Sequence, residues 1–421
     1  MIRRAGVPLA LAGLAACAGN PPPPVLRPAP DTVAARPAPP PPPPRPAPAE
    51  PAPTPLRRLA TVRLAFVGDI NLGTTTLPDG VPPDTGRGLL ARASAALTGD
   101  LVVGNFEGVL ADTGTSEKCE SIRRRDAPRR PGRAARPPVV DTTAAVSGCY
   151  AFRTPTALAP RLADAGFTHL NLANNHANDY GPAGRESTER ILDSLGIGLY
   201  GPIGRIAIDT VRRGDGLTVV GLLGFATYAH SYDLLDLARS AAVVDSVRPL
   251  VDLLIVTFHG GAEGIGALHV PETAESLGRE PRGDLRRWAR AVIDAGADAV
   301  IGHGPHVLRG IEFYRGKPVA YSLGNFVTYR GFNLDGPRGL TGVLQLEFAP
   351  DRRLRRAWLV PMIQHRGAGP IPDPDRRAIE ELRRLSLADF GTSAATISED
   401  GEITGPDPSL PPPVNPPTDS R

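Results

Sequence analysis

Five short polar segments of this 421-residue sequence hold side chains that can bind cations or move protons. They are Gly68-Asp69-Ile70-Asn71, Gly104-Asn105-Phe106-Glu107, the run from Ala173 through Asn174, Asn175, His176 and Asp179 to Gly181, Phe258-His259-Gly260-Gly261-Ala262-Glu263, and Gly302-His303-Gly304-Pro305-His306. Taken singly each has a plain reading, because Gly-Asp makes turns and an interior histidine is usually a hydrogen-bonded core residue. Together they place four of the eight histidines (His176, His259, His303 and His306) in comparable positions with the carboxylates Asp69 and Glu107 and asparagines such as Asn175. That is the nitrogen and oxygen donor supply of a divalent transition-metal site. The Gly-His-Xaa-Xaa-His turn can aim His303 and His306 at one place. Two cations ~3.5 to 4 Å apart need a carboxylate between them, and Glu107 is the candidate for that bridge.

Such segments act together only if one architecture collects them. Each follows a mostly apolar run that reads as a buried strand: 62–67, 101–103, 169–172, 253–257 and 299–301, with further runs at 218–223 and 319–322. Helical patterns lie between them at 88–97, 156–165, 184–195 and 282–295. This alternation predicts an α/β fold with its polar loops at the strand ends. The segments 342–348 and 354–360 look antiparallel, and 375–387 reads as a last amphipathic helix.

Composition separates this body from its ends. Of 48 prolines, 18 lie between Pro21 and Pro55 and seven between Pro406 and Pro417. Residues 18–56 therefore read as a Pro/Ala-rich stalk and 405–421 as a proline-rich tail, flanking a folded region at 57–365 with a C-terminal extension at 366–404. The net charge is +3, but residues 118–136 carry eight basic side chains against two acidic ones, leaving −3 for the rest. No broad basic face remains, which argues against a nucleic-acid partner. The stretch 111–147 lacks a hydrophobic period and is expected to be an arginine-rich loop.

Leu14-Ala15-Ala16-Cys17 follows Arg3, Arg4 and an apolar stretch shorter than the ~20 residues that a membrane span needs. It resembles a bacterial lipobox. Residues 1–17 are thus expected to be a lipoprotein signal peptide with Cys17 lipidated, making the chain an exported, membrane-anchored protein of the bacterial cell envelope. Export would put Cys119 and Cys149 in an oxidising compartment, where they are expected to form a disulfide at the base of the loop.

The five segments, with Tyr321-Ser322-Leu323-Gly324-Asn325-Phe326, resemble the signature of the CapA family, the bacterial capsule synthesis proteins associated with poly-gamma-glutamate. The resemblance implies a four-layer αββα sandwich of the calcineurin-like metallophosphoesterase type, with a centre at the strand ends for two divalent metal ions such as Mn, Zn or Fe. It would put Asp69, Glu107 and His306 on one metal, and Glu107, Asn175, His259 and His303 on the other. His176 would face the substrate as general acid or oxyanion donor, oriented by Asp179. Asn71, Asn105, Glu263 and Asn325 would support the ligands, Glu263 by orienting His259 or by making a salt bridge. Two departures stand out: Asn71 where true phosphoesterases carry a histidine, and Glu107 where they carry an aspartate.

The function so implied is metal-dependent hydrolysis or transfer at a phosphoester or acyl centre. Its partners would be an anionic polymer or its precursor, the membrane through the N-terminal lipid, and other capsule synthesis proteins. The rival reading is a non-catalytic factor that binds or exports polymer with the same pocket.

Overall fold

The computed structural model describes residues 58–116, 118–119 and 150–406. The leader with Cys17, the stalk, most of the arginine-rich loop, Cys149 and the tail beyond 406 lie outside the described residues. The described residues fall in one compact unit that begins at Leu56. None of its helices is long and apolar enough to cross a membrane.

Two sheets carry the fold. The first runs, edge to edge, through Thr396–Ile397, Glu402–Thr404, Leu354–Gln364, Leu340–Phe348, Val62–Asn71, Leu101–Phe106, His169–Asn171 and Gly198–Tyr200. The second runs through Leu308–Tyr314, Lys317–Leu323, Ala299–His303, Leu253–His259, Gly216–Ala226 and Ala207–Arg213. Strand alternation decides what each face buries. In Val62–Asn71, the residues Val62, Leu64 and Phe66 meet Leu222, Ile255 and Ile301 of the second sheet in one apolar cluster. Ala65 and Val67 face the other way, against Leu162 and Leu192 of the helices Pro160–Asp164 and Gly181–Ser194. On the far side, Leu254, Val256 and Val300 pack on Val244 and Trp288 of the helices Leu237–Val247 and Leu285–Asp294. The result is helices, sheet, sheet, helices: the expected αββα sandwich.

Three helical readings differ from expectation. Residues 88–97 form irregular turns and no regular helix, because Gly86 and Gly88 hold positive φ (70° and 80°) and the following amides alternate between three- and four-residue bonds. Their leucines are buried all the same. The helix expected from 282 starts at Leu285, because Arg282 and Gly283 belong to a hairpin (Glu275–Leu277 with Glu280–Gly283) and Asp284 caps the helix by accepting from the Arg287 amide. The helix Leu237–Val247 was not foreseen. Its apolar run carries no clear period, and the Asp236 cap was its one sequence signal.

The parallel central strands of both sheets end at the same edge. His259 and His303 are register partners there. The sheets are joined at that edge by one chain segment, since Lys317–Leu323 belongs to the second sheet and Asn325–Thr328 pairs parallel with Val62–Asn71 in the first. Gly324 makes the crossing, and its carbonyl accepts from the Asp69 amide at 2.9 Å. Gly68 is required by this approach, because a Cβ there would stand 1.8 Å from Gly324 O.

Candidate metal centre

The strand ends collect the anticipated side chains around Glu107, which is wholly buried. Three imidazole nitrogens stand around its Oε1: His306 Nε2 at 3.7 Å, His259 Nε2 at 3.8 Å and His176 Nε2 at 3.9 Å. Ligand atoms of Asp69, Glu107 and His306 lie within 4.8 Å of one another. His306 Nδ1 donates to Asp69 Oδ2 at 3.0 Å.

Polar neighbours set the ring orientations. The Asn105 amide nitrogen donates to Asp69 Oδ1 (2.8 Å) and faces His259 Nδ1 at 3.3 Å. Asn105 Oδ1 in turn accepts from Asn171 and Asn174. His303 Nε2 donates to Val67 O at 3.1 Å, which leaves its Nδ1 bare. Asn71 donates to Glu107 O and accepts from the Gly73 amide, so it holds the backbone that presents Glu107. Asn325 donates to the carbonyls of His306 and Arg338. Glu263 does not orient His259. Its Oε1 accepts from Arg282 Nη2 at 2.6 Å, the salt bridge that was the other expectation for it.

Backbone strain marks the same spot. His306 adopts φ 58° and Gly304 φ 113°, and a Cβ on Gly304 would meet Gly260 O at 2.9 Å. Such strain persists where the surroundings over-determine it, typically at functional sites.

His176 forms a second unit. Its Nδ1 donates to Asp179 Oδ2 at 2.7 Å, and Asp179 also accepts from the Phe152 amide (2.7 Å) and Lys118 Nζ (2.9 Å). Burial works against the Asp179 charge, but His176, Lys118 and the Phe152 amide outweigh it and hold the carboxyl below its usual range. Burial holds His176 itself below the ordinary histidine value, against the pull of Asp179.

The donor set fits a cation. Buried atoms without a hydrogen-bond partner include both Glu107 oxygens, Asn175 Oδ1, His259 Nε2 and His303 Nδ1. The four bare acceptors on Glu107, Asn175 and His303 are costly unless a cation satisfies them, and His259 Nε2 stands unpaired beside them. The protons tell the same story. Burial and the Asp69 charge push Glu107 well above the carboxylate range. Burial would depress His306, but Glu107 and Asp69 overcome it and raise the imidazole to about 10. Burial and the neighbouring Arg282 charge drive His259 well down, and burial lowers His303. A single protonated imidazole thus stands between Asp69 and a Glu107 carboxyl that burial drives towards its neutral form, and a divalent ion would favour the charged form of both.

The centre opens on a cavity of about 500 Å³. Its wall includes Asn175, His176 and His306, the aromatic rings of Phe152 and Phe332, and Arg282. Phe152 packs on His176 (4.3 Å between centroids) and Phe332 on His306 (4.7 Å). Sequence reasoning missed these two phenylalanines and Arg282, which sit outside the polar motifs. Cys119 is disulfide-bonded, while Cys149, its expected partner, is outside the described residues.

Residues 137–330 match the family model of the bacterial capsule synthesis protein PGA_cap. The matched region holds Asn175, His176, His259, His303 and His306, and begins after Asp69 and Glu107. The chain is 34% identical over 188 residues to the PGA biosynthesis protein CapA of Bacillus subtilis, covering 41% of this chain and 45% of that protein. It is 31% identical over 186 residues to the capsule biosynthesis protein CapA of Bacillus anthracis, covering 40% and 42%. The chain thus spans less than half the length of these curated relatives. Among solved structures, a putative 5'-nucleotidase from Staphylococcus aureus in complex with alpha-ketoglutarate aligns with 14% identity and a TM-score of 0.38, over 77% of this chain and 58% of that one. On the family match and the two relatives, the chain is similar to the CapA family of bacterial capsule synthesis proteins over less than half of its length.

Proposed function

We propose that this protein is a metal-dependent hydrolase or transferase of capsule synthesis, acting at a phosphoester or acyl centre of an anionic polymer of the poly-gamma-glutamate type or of its precursor. The observation that carries the reading is Glu107: buried, both oxygens unpartnered, and ringed by three imidazoles within 3.9 Å. Asp69, Glu107 and His306 would hold one divalent cation, and Glu107, Asn175, His259 and His303 a second. When bound, the cations supply Lewis acidity and positive charge against the oxyanion that develops at the reacting centre.

The protein's own residues do the rest. Asp179, ionised and held by three donors, fixes His176 with its proton on Nδ1. Nε2 is then free to take a proton from the attacking group and to return it to the leaving group. Phe152 and Phe332 shield the two imidazoles beneath them and limit water at the site. We place the protein at the cell envelope, held by lipid on Cys17 with the proline stalk as spacer, where it would meet the polymer and other capsule synthesis proteins. The supporting features are the Leu14-Ala15-Ala16-Cys17 motif and the stalk composition.

The test is turnover of a chromogenic aryl phosphodiester by the full chain loaded in turn with Mn, Zn, Fe or Mg, beside His176→Ala. Activity with at least one metal, falling by ~10² to 10⁴ in the variant, is the expected result. Absence of turnover with all four would overturn catalysis and favour polymer binding.

A further inference from the structure

Arg282 is 1% exposed and lies against the centre, yet most of its hydrogen-bonding capacity is unused. Nη2 donates to Glu263 Oε1 at 2.6 Å. Nε stands 3.1 Å from Glu280 Oε1 as an ion pair but makes no hydrogen bond, and Nη1 has no hydrogen-bond partner either. Glu280 Oε1 is engaged elsewhere, by the Tyr228 hydroxyl at 2.5 Å. An arginine taken out of water with two donor nitrogens unsatisfied carries an unfavourable load.

The fold holds this guanidinium in place on purpose-built backbone. Gly283, beside it, has φ 94°, and the Gly261 amide, two residues after His259, donates to Arg282 O at 2.9 Å. Arg282 is therefore tied to the loop that carries a candidate metal ligand. Its side chain shares the cavity wall with Asn175, His176 and His306.

A planar guanidinium fixed by carboxylates, with an unpaired buried Nη1 in a residue that lines a cavity, is suited to recognise an oxyanion. We infer that Arg282 is a substrate-binding residue whose unpaired Nη1 takes an anionic oxygen of the substrate, phosphoryl or carboxylate, next to the metal centre. This rests on the reading of that centre as one that processes an anionic substrate. Glu263 has a defined part in it: by holding Nη2 it orients the fork, and by its charge it tempers the affinity so that product can leave.

Calorimetric titration of the full chain with inorganic phosphate and, separately, with L-glutamate tests this, at equal metal content in wild type, Arg282→Gln, Arg282→Lys and Glu263→Gln. The expected result is binding of at least one probe by wild type, weakened roughly 10- to 100-fold in Arg282→Gln and less in Arg282→Lys. Response to phosphate alone assigns a phosphoryl oxygen, and response to glutamate alone a carboxylate. Glu263→Gln keeps an acceptor for Nη2, removes a countercharge, and should bind several-fold tighter; a merely structural Arg282–Glu263 pair would weaken binding in both variants. Should Arg282→Gln fail to fold, Glu263→Gln still decides, because unchanged or weaker binding there overturns the assignment. Wild-type affinity retained in Arg282→Gln, or no binding of either probe by wild type, overturns it as well. Turnover that persists alongside such a result leaves the catalytic reading standing.

Discussion

His306 donates to Asp69 through one ring nitrogen and presents the other to Glu107, 3.7 Å away. One imidazole thus bridges two buried carboxylates that come from neighbouring parallel strands and the loop beyond them. Its high proton affinity, about 10, comes from these carboxylates overcoming its burial. A cation entering the site must displace that proton, so metal binding should release protons at neutral pH.

Glu107→Gln tests the centre itself. The neutral amide cannot bridge two cations, so metal retained after dialysis, read by mass spectrometry, should fall to a small fraction of the wild-type amount. His303→Ala and Asp69→Ala should each lose affinity roughly tenfold or more, being confined to one site apiece.

Asp179→Asn tests how His176 is held. The amide can no longer enforce a proton on Nδ1, and kcat should drop by roughly 10² to 10⁴ with KM little changed. Steady-state kinetics on the aryl phosphodiester reads this. Metal content should stay at the wild-type level, since neither His176 nor Asp179 is assigned to a cation. A parallel loss of metal would move this pair into the ligand set.

Much of this cluster could be read from residue types, because His, Asp, Glu and Asn are the nitrogen and oxygen donors a cation could use and the fold had to bring them to strand ends. The apolar runs before Asp69, His259 and His303 gave both the strands and their direction. What could not be read was who supports whom. Glu263 lies four residues after His259, yet it turns to Arg282, which a hairpin returns from nineteen positions away. Phe152 and Phe332 carry no motif at all, since their place over His176 and His306 depends on tertiary packing. The irregular turns at 88–97 show the same limit in the backbone: the leucine spacing was helical, and the two glycines before it decided otherwise.

Acid should destabilise the protein through histidines kept neutral by burial. His230 is the clearest case outside the centre: burial, assisted by the Arg185 charge, lowers it to about 4 against partial support from backbone groups at Leu172 and Asn174. Its unfolded form titrates near 6.5, so between these values the unfolded chain binds more protons and stability falls as pH falls. The effect is absent above about 6.5, grows towards about 4, and is worth on the order of 3 kcal/mol at its end. His230→Gln should reduce the proton uptake on unfolding at pH 5 by about one, measured from the pH dependence of urea midpoints. An unchanged slope would show that His230 is protonated in the fold.

Arg309 and Glu275 anchor the loop that runs from His259 to the helix at Leu285. Arg309 is wholly buried in strand Leu308–Tyr314, and its fork meets both Glu275 oxygens at 2.9 and 2.8 Å while Nε and Nη2 also donate to the carbonyls of Ala267 and Ala262. Glu275 Oε2 further accepts from the Ala262 amide at 2.7 Å, so the pair fixes the residue just before Glu263. Removing one partner leaves a charge without compensation in the interior. Glu275→Gln should therefore cost about 3 to 5 kcal/mol in urea unfolding, whereas Glu275→Leu with Arg309→Met should cost far less, since the volume is kept and no lone charge remains. The double variant should also free the loop, and with it Glu263 and Arg282, to exchange amide hydrogens faster than in wild type. A double variant as unstable as Glu275→Gln would show that the carbonyl bonds to Ala262 and Ala267, and not the ion pair, carry the anchor.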